Sequence, residues 1–235
     1  VHGSRGLGDV YKRQILSLDL PGHGFTKALT KQKKQLKNIV DQIYNLLQEI
    51  NFIPEIVLGH SAGAVIAYEL AKKLENSPYT VAINAAFGQF SGLAGVAFPY
   101  FAKIAAATTI PARLLTLLAN KQDLVQKLLS GTGSTIPREQ IRCYQYLFTS
   151  PDHVDGTLQM MADWELGDFL DQLPRDTSPI HFFVGEKDKT VPSHISHSWA
   201  RVISNSRLTE CKGLGHLMHE EDPRTVSSIL KTSFN

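Results

Sequence analysis

Cysteine is scarce in this chain: there are two in 235 residues, Cys143 and Cys211. They lie far apart, and neither has a CxxC or metal-type neighbourhood. That argues against a disulfide framework and for a reduced, intracellular protein. Charge of one sign is equally lacking. A net charge of +2 is too small to recruit nucleic acid, so no such partner is expected. No run of about 18 uninterrupted apolar residues exists, so no transmembrane helix is predicted. The nearest approach, Phe87 to Ala119, is broken by Lys103, Arg113 and two prolines.

The amino terminus lacks a pattern of any kind. "VHGSRGLGDVYKRQ" has no charged start followed by an apolar stretch, so it is not a signal peptide. Neither helical nor strand periodicity runs through it. Its glycines follow no strand and precede no GK[ST], so the phosphate-loop signal there is weak. "GDVYKRQ" reads as translated adapter sequence of the kind found at the ends of metagenomic reads. Residues 1–14 are therefore expected to be non-native, in a chain truncated at its start.

What is present is an ordinary globular composition, 43% apolar and 20% charged, long enough for one substantial core. The lysines between Lys27 and Lys37 form its basic cluster and read as the solvated start of a helix. "ILSLDL" (Ile15 to Leu20) runs into "PGHG", a turn signal, and reads as a buried strand. From Gln35 the apolar positions Leu36, Ile39, Val40, Ile43, Leu46, Leu47 and Ile50 recur at three- and four-residue steps, an amphipathic helix. "IPEIVLG" is the next strand and Ala62 to Leu74 the next helix. "YTVAINAAF" is a further strand. From Gly88 to about Asp176 the alternation gives way to helical sequence rich in Phe, Ala and Leu. It resumes with "PIHFFVGEKD", a helix around Ser196 to Ser204, the strand "RLTECKG" and a closing helix. Strands alternating with helices predict a parallel sheet covered on both faces. The inserted block predicts a helical cap over 88–176, above the carboxyl ends of the strands. The core would then comprise 15–87 and 177–235.

"IVLGHSAGAVIAYELA" carries the chemistry. A strand that must turn at once into a helix leaves the turn residue in a cramped conformation, and Gly59 and Gly63 flank Ser61 where a Cβ would collide. G-x-S-x-G in that context is a nucleophile elbow, with the N–H of Ala62 aimed where an oxyanion would form. A serine nucleophile needs a base, and the base needs an acid to hold it. "HFFVGEKDKTVP" supplies Asp188 just past a strand, with Glu186 as the competing acid. "GLGHLMHEEDP" supplies His216 in a glycine-flanked loop, with His219 as the competing base. His23 in "DLPGHG" reads as structural, in a turn that shapes the pocket floor. The pairs His194/His197 and His216/His219 have metal-ligand spacing but no second cluster to complete a site, so neither metal nor cofactor is expected. "GTGSTIP" reads as a cap loop.

"DLPGHG", "GHSAG", "GEKDKTVP" and "GLGHLMHEE", in that order, resemble the α/β-hydrolase fold. With "INAAF" and "FTSPDHVDGTLQMMADWEL" added, the chain resembles the BchO family, the magnesium-chelatase accessory proteins of bacteriochlorophyll synthesis, from Ile15 onward. The elbow and triad motifs are common to the superfamily, whereas the cap segment is far more specific. The resemblance implies a role in or near magnesium insertion into protoporphyrin. Relatives carry an HG-type oxyanion turn and a helix before the strand that ends in "DLPGHG". Here His2-Gly3 stands in that place with only 15 residues before Asp19, too few for a helix and a strand. The second oxyanion donor is left unassigned.

The expectation is a serine hydrolase, esterase-like, acting on an apolar substrate. Ser61, Asp188 and His216 would be catalytic, Ala62 would form the oxyanion hole, and His60, Phe148, Met160 and Trp164 would contact substrate. The rival is a non-catalytic protein that binds a porphyrin and delivers it to magnesium chelatase. The substrate under either reading is an apolar small molecule, such as a porphyrin, and the chelatase is a candidate partner. The expected location is cytoplasmic, with membrane-surface contact through an aromatic-rich cap.

Overall fold

A computed structural model describes residues 14–27, 35–88, 116 and 122–234. The first helix, α1 (Leu36–Glu49), follows from its apolar spacing, and it buries Ile39, Val40, Ile43 and Leu47 along one stripe. It ends at Asn51, whose φ of 52° is the left-handed conformation in which helices commonly stop. Strand β1 (Ile56–His60) leads straight into α2 (Ala62–Lys73). Helix α2 buries Ala64, Val65, Ile66, Ala67, Tyr68, Leu70 and Ala71, so small side chains let it lie close on the sheet. Strand β2 (Tyr79–Ile83) follows.

Helices fill the described part of the next stretch: α3 (Gln122–Gly131), α4 (Arg138–Phe148), α5 (Pro151–Ala162), α6 (Gly167–Gln172) and a 3-10 turn, Leu173–Arg175. The start of α5 is written locally. The Ser150 side chain accepts the N–H of His153, Pro151 opens the helix, and Asp152 sits in the first turn, where the helix dipole favours a negative charge. The chain then returns to the sheet as β3 (Ile180–Gly185), α7 (Ser193–Val202), β4 (Ser206–Cys211), the short α8 (Met218–Glu221) and α9 (Pro223–Phe234). Residues 89–115 and 117–121 of the predicted cap, and residues 1–13, lie outside the described residues.

Among the described residues, four strands pair in chain order, β1-β2-β3-β4, and every pairing is parallel. Parallel sheets need cover on both faces, and all six residues of β3 are buried accordingly. One face packs Phe87, Phe169, Phe182, Leu173 and Tyr68 together, with Phe87 and Phe182 edge-to-face at 5.5 Å. The other packs Val81, Ile83, Phe183 and Met218 under α9. A further cluster lies between α1 and α2.

The segment predicted as a strand at Ile15 to Leu20 belongs to no ladder among the described residues. Its apolar side chains Leu16, Leu18 and Leu20 still reach the α1–α2 cluster. A strand is defined by a partner's N–H and C=O groups, and none among the described residues lies beside it. A short apolar run before a turn does not by itself make one.

Candidate active site

The carboxyl ends of the parallel strands converge on one loop cluster, the position where such sheets carry their sites. At the end of β1, Ser61 has φ 54° and ψ −119°, a conformation that side-chain-bearing residues seldom adopt and that costs on the order of 1–3 kcal/mol. Three backbone hydrogen bonds hold it there. Its N–H donates to Ile83 O at 2.9 Å, and its carbonyl accepts from Ala64 N at 3.1 Å and Ala86 N at 3.2 Å. Gly59 is required by contact, since a Cβ there would lie 2.0 Å from the carbonyl oxygen of Gly63. The collision expected at Gly63 itself is absent, because a Cβ at that position would meet open space. The crowding is one-sided: strand residue 59 faces helix backbone, while residue 63 faces away from the strand. Ala62 opens α2, so its N–H is among those a helix leaves without an intrahelical partner.

Asp188 lies in the turn after β3, and its side chain is fully shielded from solvent. Its Oδ1 accepts the N–H groups of Thr190 at 2.7 Å and Val191 at 2.9 Å. Its Oδ2 stands 2.8 Å from Nδ1 of His216, which comes from the loop after β4. With Nδ1–H committed to the carboxylate, the lone pair of the neutral imidazole is on Nε2. Glu186, the alternative acid, faces elsewhere and accepts the N–H of Gly213 at 2.7 Å. His219, the alternative base, lies in α8 with its Nε2 3.7 Å from Glu220.

Three histidines pack against one another here. The His60 ring lies 4.5 Å from that of His216 and 4.5 Å from that of His219, and its Nε2–H donates to His216 O at 2.9 Å. Burial, then the neighbouring His216 and His219, push the His60 pKa down to about 3. Burial likewise lowers that of His219.

The four expected substrate contacts do not share a cluster. His60 is held among the other two rings. Met160 is buried with Ile39, Leu47 and Leu70, beside Ala62 and Leu20. Trp164 bridges that cluster and the aromatic one over the sheet. Phe148 packs against Val125, Leu129, Ile141 and Leu217. The cleft expected above Ser61 draws in part on residues outside those described.

Sequence reasoning passed over the polar groups that suspend the loops. Asn84, 2% exposed and with φ 45°, bonds to the His216 loop and to the end of β3. Ser134 accepts the N–H of Leu217 through Oγ at 2.8 Å. Glu221 accepts Gly215 N at 2.7 Å and Thr135 N at 3.1 Å. The "GTGSTIP" loop therefore ties the helical insert to the histidine loop. One signal was available: Asn84 is the polar residue that interrupts the apolar run at the end of "YTVAINAAF". Among the described residues, no group of three or more His, Cys, Asp or Glu could hold a metal ion, and no helix is long and apolar enough to cross a membrane.

A parallel sheet with a strained serine between strand and helix, and a histidine–carboxylate pair in the loops after later strands, belongs to one broad class, and the chain is a member of the alpha/beta hydrolase family, whose model matches residues 1–229. It is similar to the magnesium-chelatase 30 kDa subunit of Rhodobacter capsulatus, with 38% identity over 239 residues, covering 98% of this chain and 84% of that protein. The uncharacterized hydrolase YugF of Bacillus subtilis (strain 168) is 23% identical over 225 residues, covering 92% and 78% of the two chains. Among solved structures, MenH from S. aureus superposes with a TM-score of 0.71 at 18% identity, over 92% of this chain and 80% of that one. An esterase from Exiguobacterium antarcticum superposes with a TM-score of 0.67 at 18% identity, over 92% and 79%.

Proposed function

We propose that this protein is a serine hydrolase that cleaves an ester or similar acyl bond in an apolar substrate. Ser61 Oγ attacks the acyl carbon while Nε2 of His216 takes its proton. Asp188 keeps Nδ1 protonated and stabilises the imidazolium as it forms. The Ala62 N–H, at the start of α2, stabilises the tetrahedral oxyanion. His216 then returns the proton to the leaving alcohol, and a water molecule repeats the sequence to release the acid. The observations that carry this reading are the strained backbone of Ser61 between strand and helix and, in the loop after β4, a histidine whose Nδ1 is already committed to a buried carboxylate. Helices α3 to α6 would form the cap, with its apolar side toward the serine. Labelling with a fluorophosphonate tests the reading directly. Covalent modification at Ser61, blocked by Ser61→Ala, is the expected result, and an unlabelled serine in folded protein would sink it.

A second reading rests on the relative named as a magnesium-chelatase 30 kDa subunit, 38% identical to this chain. The protein would bind a porphyrin under the cap and assist magnesium chelatase, with the triad unused. Titration with magnesium protoporphyrin beside turnover of a short activated ester separates the two. Porphyrin binding without labelling favours delivery, and efficient ester turnover without porphyrin binding favours a generic esterase.

A further inference from the structure

Residues Ile83 to Ala86 touch the backbone of both the serine turn and the histidine loop. Ile83 O accepts the N–H of Ser61, and Ala86 N–H donates to Ser61 O. Between them, the Asn84 amide turns the other way. Its Nδ2 donates to Gly215 O at 3.0 Å and to His216 O at 2.8 Å, and its Oδ1 accepts the N–H of Gly185 at 2.7 Å. Gly185 ends β3 and begins the turn that carries Asp188, whose N–H donates to Gly185 O at 3.2 Å. One side chain thus spans the loops of the acid and the base, and its own backbone neighbours hold the nucleophile.

We propose that Asn84 is a positioning residue, whose amide fixes the height of the His216 loop relative to Asp188 and to the Ser61 turn. The function assigned to that positioning rests on the serine-hydrolase reading. The chemistry of the amide suits the task. Two buried carbonyls, one of them shared with His60 Nε2–H, accept from Asn84 and one N–H donates to it, and among uncharged side chains of this size an amide presents donor and acceptor at once. An aspartate would set acceptor oxygens against carbonyl oxygens, and an aliphatic residue would leave all three groups without this partner. The backbone also selects: at φ 45° asparagine, aspartate and glycine are tolerated, and bulkier side chains are strained. Flanking Ile83 and Ala85 are apolar and fully packed, so the core alone gives no reason for a polar group between them.

Two variants test this. Asn84→Gly keeps the backbone conformation and removes all three bonds. Asn84→Asp keeps the shape and the bond to Gly185 while losing the donor, and it decides the matter should the glycine variant fail to fold. The first readout is the far-downfield proton resonance of His216 Nδ1–H in its bond to Asp188, measured with or without catalysis. The second is the rate of fluorophosphonate labelling, with kcat and KM on a short activated ester. The expected result is a shifted or lost downfield resonance. Labelling and kcat should fall by about 10- to 100-fold, as small displacements of catalytic groups do, with KM nearly unchanged. A folded variant with a wild-type resonance and labelling within about threefold of wild type would overturn the proposal. Wild-type protein that shows the resonance but does not label would remove the hydrolase reading alone, and the resonance of the variants would still decide the role of Asn84.

Discussion

His153 on α5 accepts the backbone N–H of Gly24 through Nδ1 at 3.0 Å, and three residues along the same helix face Gly156 rests on the backbone of Gly22. The "PGHG" turn and the "SPDHVDG" helix are thereby one joint, made by a glycine that admits the turn and a histidine that anchors it. A Cβ on Gly156 would fall 1.8 Å from the carbonyl oxygen of Gly22.

Gly156→Ala should therefore force helix and turn apart and destabilise the protein by about 1–3 kcal/mol, the usual cost of overpacking. Gly167→Ala is the control, since a Cβ there would meet nothing within 4 Å. Urea denaturation should show the first variant clearly weakened and the second unchanged or slightly firmer. Equal midpoints for the two would contradict the described contact.

Strain at Ser61 has a thermodynamic signature. Ser61→Ala and Ser61→Gly should both abolish labelling and lower ester turnover by several orders of magnitude. The glycine variant, free to adopt φ 54°, should be more stable than the alanine variant by about 1 kcal/mol despite its greater unfolded-state entropy. Thermal melts of the pair measure this, and a less stable glycine variant would mean that the turn is relaxed.

Asp188→Asn preserves size and can still accept the N–H groups of Thr190 and Val191 through Oδ1. Its amide cannot hold the Nδ1–H tautomer of His216. Turnover should drop by about 10³- to 10⁴-fold with substrate affinity little changed. A loss below tenfold would show that the carboxylate does not orient the base.

His60 gives a pH dependence of definite sign. Its folded pKa, about 3, lies below its ordinary 6.5, so the unfolded chain binds more protons between those values. Its contribution to stability is therefore complete above pH 6.5 and is lost as the pH falls toward the folded value. The stability gap between wild type and His60→Gln should be largest near pH 7.5 and close progressively toward pH 4. Denaturation midpoints across that range check it, and a gap independent of pH would refute the assignment.

The strand–turn–helix around Ser61 was legible because its signals are local. An apolar run, a glycine at the crossing point and a run of small helix-forming residues are adjacent in the chain. The α1 stripe was legible for the same reason: Ile39, Val40, Ile43 and Leu47 repeat at helical spacing. Ile15 to Leu20 misled because a short apolar run before a turn reports which side chains are sheltered and not whether a neighbouring strand exists. Gly63 misled because a pattern does not say which of two glycines bears the crowding.

By itself the sequence determined most of the elements, Ile15 to Leu20 aside, their order, and the polar residues placed where strands end, since period, turn chemistry and residue type are properties of neighbours along the chain. It also carried the Asn84 amide without revealing its use. Only the tertiary structure decided that Asp188 would meet His216 rather than His219, that His60 would lie between two imidazoles, and that Asn84 would bridge loops about 100 and 130 residues away. Those outcomes depend on the lateral pairing β1-β2-β3-β4. Hydrogen bonds reach about 3 Å, and only the register of packed strands brings groups so distant in sequence within that range.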